Sequence, residues 1–141
     1  MINKNDTETF LSHLNSIKPG TVIPKPEAKS PFRVKGWGTR RGERALVYFI
    51  PNHNNASKPY EKGITLSEWK KAFERLVING EFSKEWFEKD LAACAIEGGC
   101  NFTTIGGLFI HAGVAKYEKK ESIRNPDDNA HRISLFHELE I

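Results

Sequence analysis

Residues 64–120 hold three closely spaced sets of helix start and stop signals, and the last set leads into an alternating, lysine-rich stretch. Thr65-Leu-Ser-Glu68 has capping-box spacing, in which the threonine hydroxyl and the glutamate side chain satisfy each other's backbone N–H groups. Leu66, Trp69, Phe73, Leu76 and Val77 then fall on one helical stripe, and Asn79-Gly80 supplies the stop. Ser83 opens a second helix with Glu85 in its first turn, where the helix dipole favours negative charge. Its apolar side is Trp86, Phe87, Leu91, Cys94 and Ala95, and Gly98-Gly99 ends it. Asn101 or Thr103 caps a third helix over residues 104–112, with Ile105, Leu108, Phe109 and Ala112 on its stripe and Gly113 after it. Gly106 and Gly107 inside that helix each cost about 1 kcal/mol relative to alanine. Such glycines mark a close backbone approach to a neighbour or a ligand. Residues 114–122 and 130–138 read as paired strands around the turn-rich tip Asn125-Pro-Asp-Asp-Asn129.

The segment before this unit has a different texture. Phe10, Leu14 and Ile17 have helical spacing, with Asp6 or Thr7 to begin the helix and Gly20 to close it. Residues 18–31 contain Pro19, Pro24, Pro26 and Pro31, which favours an extended connector draped over the surface. Residues 32–37 and 43–50 read as a β-hairpin around Gly38-Thr-Arg-Arg-Gly42. Ala45-Leu-Val-Tyr-Phe-Ile50 is apolar on both faces, as in a strand covered on both sides. Residues 51–63 are rich in turn formers and predict a polar loop.

A chain of 141 residues, 38% hydrophobic and 28% charged, is suited to one compact domain. Within it, residues 1–63 supply the helix, connector and basic hairpin, and residues 64–141 the three-helix unit with its ribbon. Trp69, Phe73, Trp86, Phe87, Phe102 and Phe109 recur at helical spacing and are expected in the core. The longest apolar run is far short of the roughly 20 residues that cross a bilayer. No apolar signal core opens the chain, so the expected setting is cytoplasmic, with no membrane partner. Cys94 and Cys100 are then expected as reduced thiols. Their five-residue separation lacks the tight spacing of a structural zinc site, and neither metal nor cofactor is expected.

The net charge of +3 is small, but residues 25–44 carry Lys25, Lys29, Arg33, Lys35, Arg40, Arg41 and Arg44 against Glu27 and Glu43. A basic segment of that kind favours a polyanion-facing surface.

Gly80-Glu-Phe-Ser83 and Asn101-Phe-Thr-Thr-Ile-Gly-Gly-Leu-Phe-Ile-His-Ala-Gly-Val-Ala-Lys-Tyr117 resemble the winged helix-turn-helix superfamily. There, a similar step opens the second helix, and a similar ending leads from the recognition helix into the first wing strand. The resemblance covers about residues 64–137. It implies an α+β fold in which the N-terminal helix and β-hairpin pack on a winged-helix-like three-helix unit with a C-terminal β-ribbon.

The function implied is non-enzymatic binding of double-stranded DNA by a small regulator or accessory factor. Thr103, Thr104 and His111 would face the groove from the third helix, with Gly107 letting backbone come close. Lys116, Lys119, Lys120, Arg124 and Arg132 would hold phosphates from the wing, and Arg40, Arg41, Arg44 and Trp37 would reach a neighbouring groove or backbone. The expected exposed face of the third helix has no arginine, and the wing tip carries Asp127 and Asp128. Those departures motivate a second reading, a protein–protein interaction module such as an inhibitor or adaptor. A third reading, a metal-dependent nuclease, would rest on His53 and Glu43. An exposed N-terminal arm is compatible with exchange between copies in a dimer.

Overall fold

The computed structural model describes residues 4–26, 30–118 and 132–135. The chain is α+β. Helix α1 (Lys4–Asn15) is followed by strands β1 (Val22–Ile23), β2 (Phe32–Arg40), β3 (Glu43–Ile50) and β4 (Tyr60–Thr65). Then come α2 (Leu66–Asn79), β5 (Glu81–Phe82), α3 (Lys84–Asp90), α4 (Ala92–Glu97), α5 (Cys100–His111), β6 (Ala115–Glu118) and β7 (Arg132–Leu135). Strands β1-β2-β3-β4 form one antiparallel sheet in that order, and β5-β7-β6 form a second. Among the described residues, no helix is long and apolar enough to cross a membrane.

The local signals account for α2 closely. Thr65 accepts from the Glu68 N–H at 3.3 Å, and Glu68 accepts from the Thr65 N–H at 2.9 Å. Gly80 closes the helix in the left-handed conformation at φ 76°, its N–H bonded to the Leu76 carbonyl at 2.8 Å. Ser83 caps α3 by accepting from Trp86 N–H at 3.1 Å.

The hairpin turn is tighter than the five-residue loop expected from the sequence. Only Arg41 and Gly42 lie between β2 and β3, both at positive φ (48° and 76°), which matches the twist of the flanking strands. The expected loop at 51–63 ends in β4, and the expected connector contributes β1. Both pair with the hairpin, so β3 is flanked by β2 and β4; Ala45, Leu46, Val47 and Tyr48 are all buried, as expected for a strand apolar on both faces.

Two further differences concern helices. The expected second helix breaks at Leu91 (φ −119°, ψ 50°) into α3 and α4. The third begins at Cys100 rather than beyond Asn101. Asn101 is inside it and buried, accepting from Tyr48 Oη at 2.6 Å and donating to the Cys94 carbonyl at 2.9 Å.

Helix α5 is the axis of the core. Phe109 lies within ring contact of Phe10 from α1 (5.2 Å between centroids), Trp69 and Phe73 from α2 (6.3 Å each) and Phe82 from β5 (5.6 Å). The two glycines admit neighbours on separate sides. A Cβ at Gly106 would sit 2.2 Å from Ile133 Cδ1, and one at Gly107 would sit 2.2 Å from the Pro24 carbonyl oxygen and 2.6 Å from Ile23. The connector therefore runs against the helix and does not merely drape over the surface. The paired strands expected at 114–122 and 130–138 are represented by β6 and β7, and the tip at 125–129 lies outside the described residues.

These two glycines should respond differently to alanine. Overpacking costs roughly 1–3 kcal/mol, against a helix-propensity gain of about 1 kcal/mol. At Gly106 the obstacle is the end of a flexible isoleucine, whereas at Gly107 it is backbone. Chemical denaturation should show Gly107→Ala losing clearly more stability than Gly106→Ala; equal losses would contradict the packing described.

Candidate functional site

Alternation in Phe32-Arg33-Val34-Lys35 divides the first sheet into two faces. Phe32 and Val34 are buried, while Arg33 and Lys35 are exposed. Arg33 lies opposite Phe49 on β3, which lies opposite Glu61 on β4, so these three share the outer face. A register shift between Val34 and Gly36 leaves Lys35 on that side, where its Nζ sits 2.8 Å from Glu61 Oε1 and 5.6 Å from the Phe49 ring centroid. Arg40 joins them from the end of β2. Its stem fills the space above Gly63, where a Cβ would meet Arg40 Cγ at 2.6 Å, and its guanidinium is 3.9 Å from Glu61. Lys35 and Arg40 thus share Glu61, while Arg33, opposite the partly buried Phe49, donates to the Gly20 carbonyl at 3.3 Å, and Gly36 and Gly38 leave β2 low between them.

The three hairpin arginines expected to act together are separated. Arg41 turns inward: it makes a paired contact with Glu68 (Nε to Oε2 3.1 Å, Nη2 to Oε1 2.5 Å), an ion pair with Glu97 and a hydrogen bond to the Gly63 carbonyl at 2.9 Å. Lys62 adds a bond to the Glu97 carbonyl at 2.7 Å. The Arg41 side chain, only 22% exposed, ties the hairpin tip to the start of α2 and the end of α4, and its charge is spent there. This corrects its expected place among free phosphate contacts. Arg44 stacks on Trp37, its guanidinium 4.1 Å from the ring, and the Trp37 indole N–H donates to the Leu14 carbonyl at 3.3 Å. Trp37 is therefore a half-buried joint between β2 and α1 with one arginine on its surface.

The residues expected to read a groove are also redistributed. Gly107 is buried beneath β1 and its connector, and Thr104, one turn earlier on the side expected to face solvent, is 1% exposed. Thr103 is partly exposed at one end of the helix. His111 is exposed at the other end, its Nδ1 2.9 Å from His13 Nε2. Lys116 is exposed on β6, and Arg132 belongs to β7. Lys119, Lys120 and Arg124 lie outside the described residues.

Glu43 and His53 are not brought together. Glu43 accepts from the Ser67 N–H and hydroxyl at 2.8 Å each, while His53 Nε2 lies 3.4 Å from Ser30 Oγ. The eight residues of β3 separate them, on the order of 25 Å for an extended strand. Among the described residues, no group of three or more His, Cys, Asp or Glu side chains could hold a metal. Both cysteines are free, and burial pushes the Cys94 thiol up to about 12.

The alternation at residues 32–35 would have located the Arg33–Lys35 face from sequence. Nothing in the sequence pairs His13 with His111. No protein-family model, curated protein or solved structure matches this chain.

The Arg41 cluster has a measurable pH signature. Burial raises the Glu68 carboxyl, but hydrogen bonds from Arg41 and the Thr65 backbone outweigh that and hold it below its ordinary value of 4.5. A carboxyl depressed in the folded state stabilises the fold above its unfolded value and loses that contribution as pH falls through the folded one. Denaturation between pH 7 and pH 3 should therefore show Glu68→Gln less stable than wild type near neutrality and less sensitive to acid below about pH 4.5. Parallel stability curves would mean that the Arg41–Glu68 contact contributes nothing.

Proposed function

We propose that this protein binds nucleic acid without catalysing a reaction on it, holding the phosphate backbone on the outer face of the four-stranded sheet. The observation that carries the reading is the presence of Arg33, Lys35 and Arg40 on the outer face of β2, where Lys35 and Arg40 share the Glu61 carboxylate and Glu43, opposite Arg40, is engaged by Ser67. Phosphate contacts of this type position a protein on nucleic acid and carry no sequence information, so the expected binding is largely indifferent to sequence. Duplex DNA is the first partner to test. The order helix, strand, helices, strand, strand over residues 66–135, with β7 between β5 and β6, supports a winged-helix reading of the second half. In that reading α5 is a core helix, and Lys116 on β6, with Lys119, Lys120 and Arg124 later in the sequence, would supply a second set of phosphate contacts.

A second reading is a protein-interaction module built on the same scaffold. It is favoured by the cover over α5, which removes the helix face that would read bases, and by Ile78 and Ile96, exposed to 70% and 85% on α2 and α4.

Fluorescence anisotropy with a random-sequence duplex and a matching single strand, across a salt series, tests the first reading. Each phosphate neutralised on duplex DNA contributes about −0.9 to the slope of log affinity against log salt. Replacing Arg33, Lys35 and Arg40 together by glutamine should weaken binding and flatten the slope by up to about 3. Preferred binding of the single strand would change the partner and keep the face. An unchanged slope removes the sheet face from the model, and no binding of either form at low salt turns attention to protein partners.

A further inference from the structure

We propose that His13 and His111 form a two-imidazole site for a late first-row divalent metal, with Cu²⁺ and Ni²⁺ preferred over Zn²⁺. The residues come from the last turns of α1 and α5, 98 positions apart, yet His13 Nε2 and His111 Nδ1 face each other at 2.9 Å. Their ring centroids are 5.0 Å apart and the planes are inclined at 54°, so the rings meet through their nitrogens and do not stack. His111 is exposed and His13 only partly covered, which leaves a path for an ion.

The separation suits a shared ion. Metal–imidazole bonds of about 2.05 Å place two nitrogens about 2.9 Å apart when the angle at the metal is near 90°, and about 3.3 Å apart when it is tetrahedral. The observed distance is that of a ring-to-ring hydrogen bond and equals the spacing of neighbouring positions on a square-planar or octahedral ion, and imidazole donors bind Cu²⁺ more tightly than Zn²⁺. A tetrahedral zinc site would need the rings to part by about 0.4 Å. Hard ions such as Mg²⁺ and Ca²⁺ seek oxygen and are not expected here.

Without metal, one ring N–H points at the other ring's lone pair. Binding moves that proton, through solvent, to the far nitrogen of the same ring, so both facing nitrogens present lone pairs and the neutral pair loses no net proton. Water or an external ligand completes the coordination. The thiols belong to another region, since Cys100 begins α5 and eleven helical steps place it roughly 16 Å from His111.

The test is a chelator-competition titration of untagged full-length protein with CuCl₂ and NiCl₂, alongside electron paramagnetic resonance of the copper form. One equivalent should bind, with hyperfine structure from two imidazole nitrogens, and the ion should raise the melting temperature by roughly 9 °C at a hundredfold excess over Kd. His13→Gln and His111→Gln should each weaken binding at least tenfold and abolish the thermal shift, while their metal-free melting curves report folding. His53→Gln and the Cys94→Ser/Cys100→Ser pair should bind as wild type does. Binding that survives both His13→Gln and His111→Gln, binding lost only with the cysteines, or no binding at millimolar metal would overturn the proposal.

Discussion

The approach of the Pro24 carbonyl to α5 at Gly107 is the constraint on which the arrangement of the whole chain depends. No side chain larger than hydrogen leaves room for that backbone, and the neighbouring Gly106 makes the same concession to Ile133 on the opposite sheet. With both clearances open, α5 receives β1 on one side and β7 on another, while Phe109 meets aromatic rings from α1, α2 and β5. The helix-propensity penalty of two adjacent glycines, about 2 kcal/mol together, is offset by packing available only to a helix covered on several sides. The N-terminal elements and the three-helix unit consequently share one core.

Arg41 does for the surface what Gly107 does for the interior. Its left-handed backbone at φ 48° costs on the order of 1–2 kcal/mol for a residue other than glycine. That conformation completes a two-residue turn whose side chain reaches Glu68, Glu97 and the Gly63 carbonyl. Glu68 at the same time completes the cap of α2, so one carboxylate fixes a helix start and a hairpin tip. The positive charge left on the sheet belongs to Arg33, Lys35 and Arg40, with Arg44 apart on Trp37, and it is this geometry that moves the proposed nucleic-acid face from the hairpin tip to the strand surface.

Features written in adjacent residues were legible before any coordinates. The capping box at Thr65, the stop at Gly80, the start at Ser83 and the burial of both faces of β3 were all written within a few positions of one another. What escaped depends on partners far away in the chain. The cover over Gly107 comes from residues 23 and 24, the fate of Arg41 is decided at positions 68 and 97, and β4 is a strand because β3 needs a partner at its second edge. A helical stripe also misleads when both faces are buried. Thr104 and Gly107 look like solvent positions only on the premise that a helix shows one face to water, and α5 does not satisfy it.

The last turn of α1 is where the separate parts meet. Leu14 is fully buried, its carbonyl takes the Trp37 indole N–H from β2, and its neighbour His13 faces His111 at the end of α5. A metal held by the two histidines would therefore fix one turn of helix against both the core helix and the strand that carries the basic face. Such an ion could alter affinity at that face only by favouring one arrangement of the sheet over another. The physical route for doing so is short: His13, the adjacent Leu14 carbonyl, the Trp37 ring, and Arg44 stacked upon it. Because Arg33, Lys35 and Arg40 lie on the opposite face of the same sheet, a tightened α1 would act on Arg44 first and reach the remaining cations only through the backbone of β2.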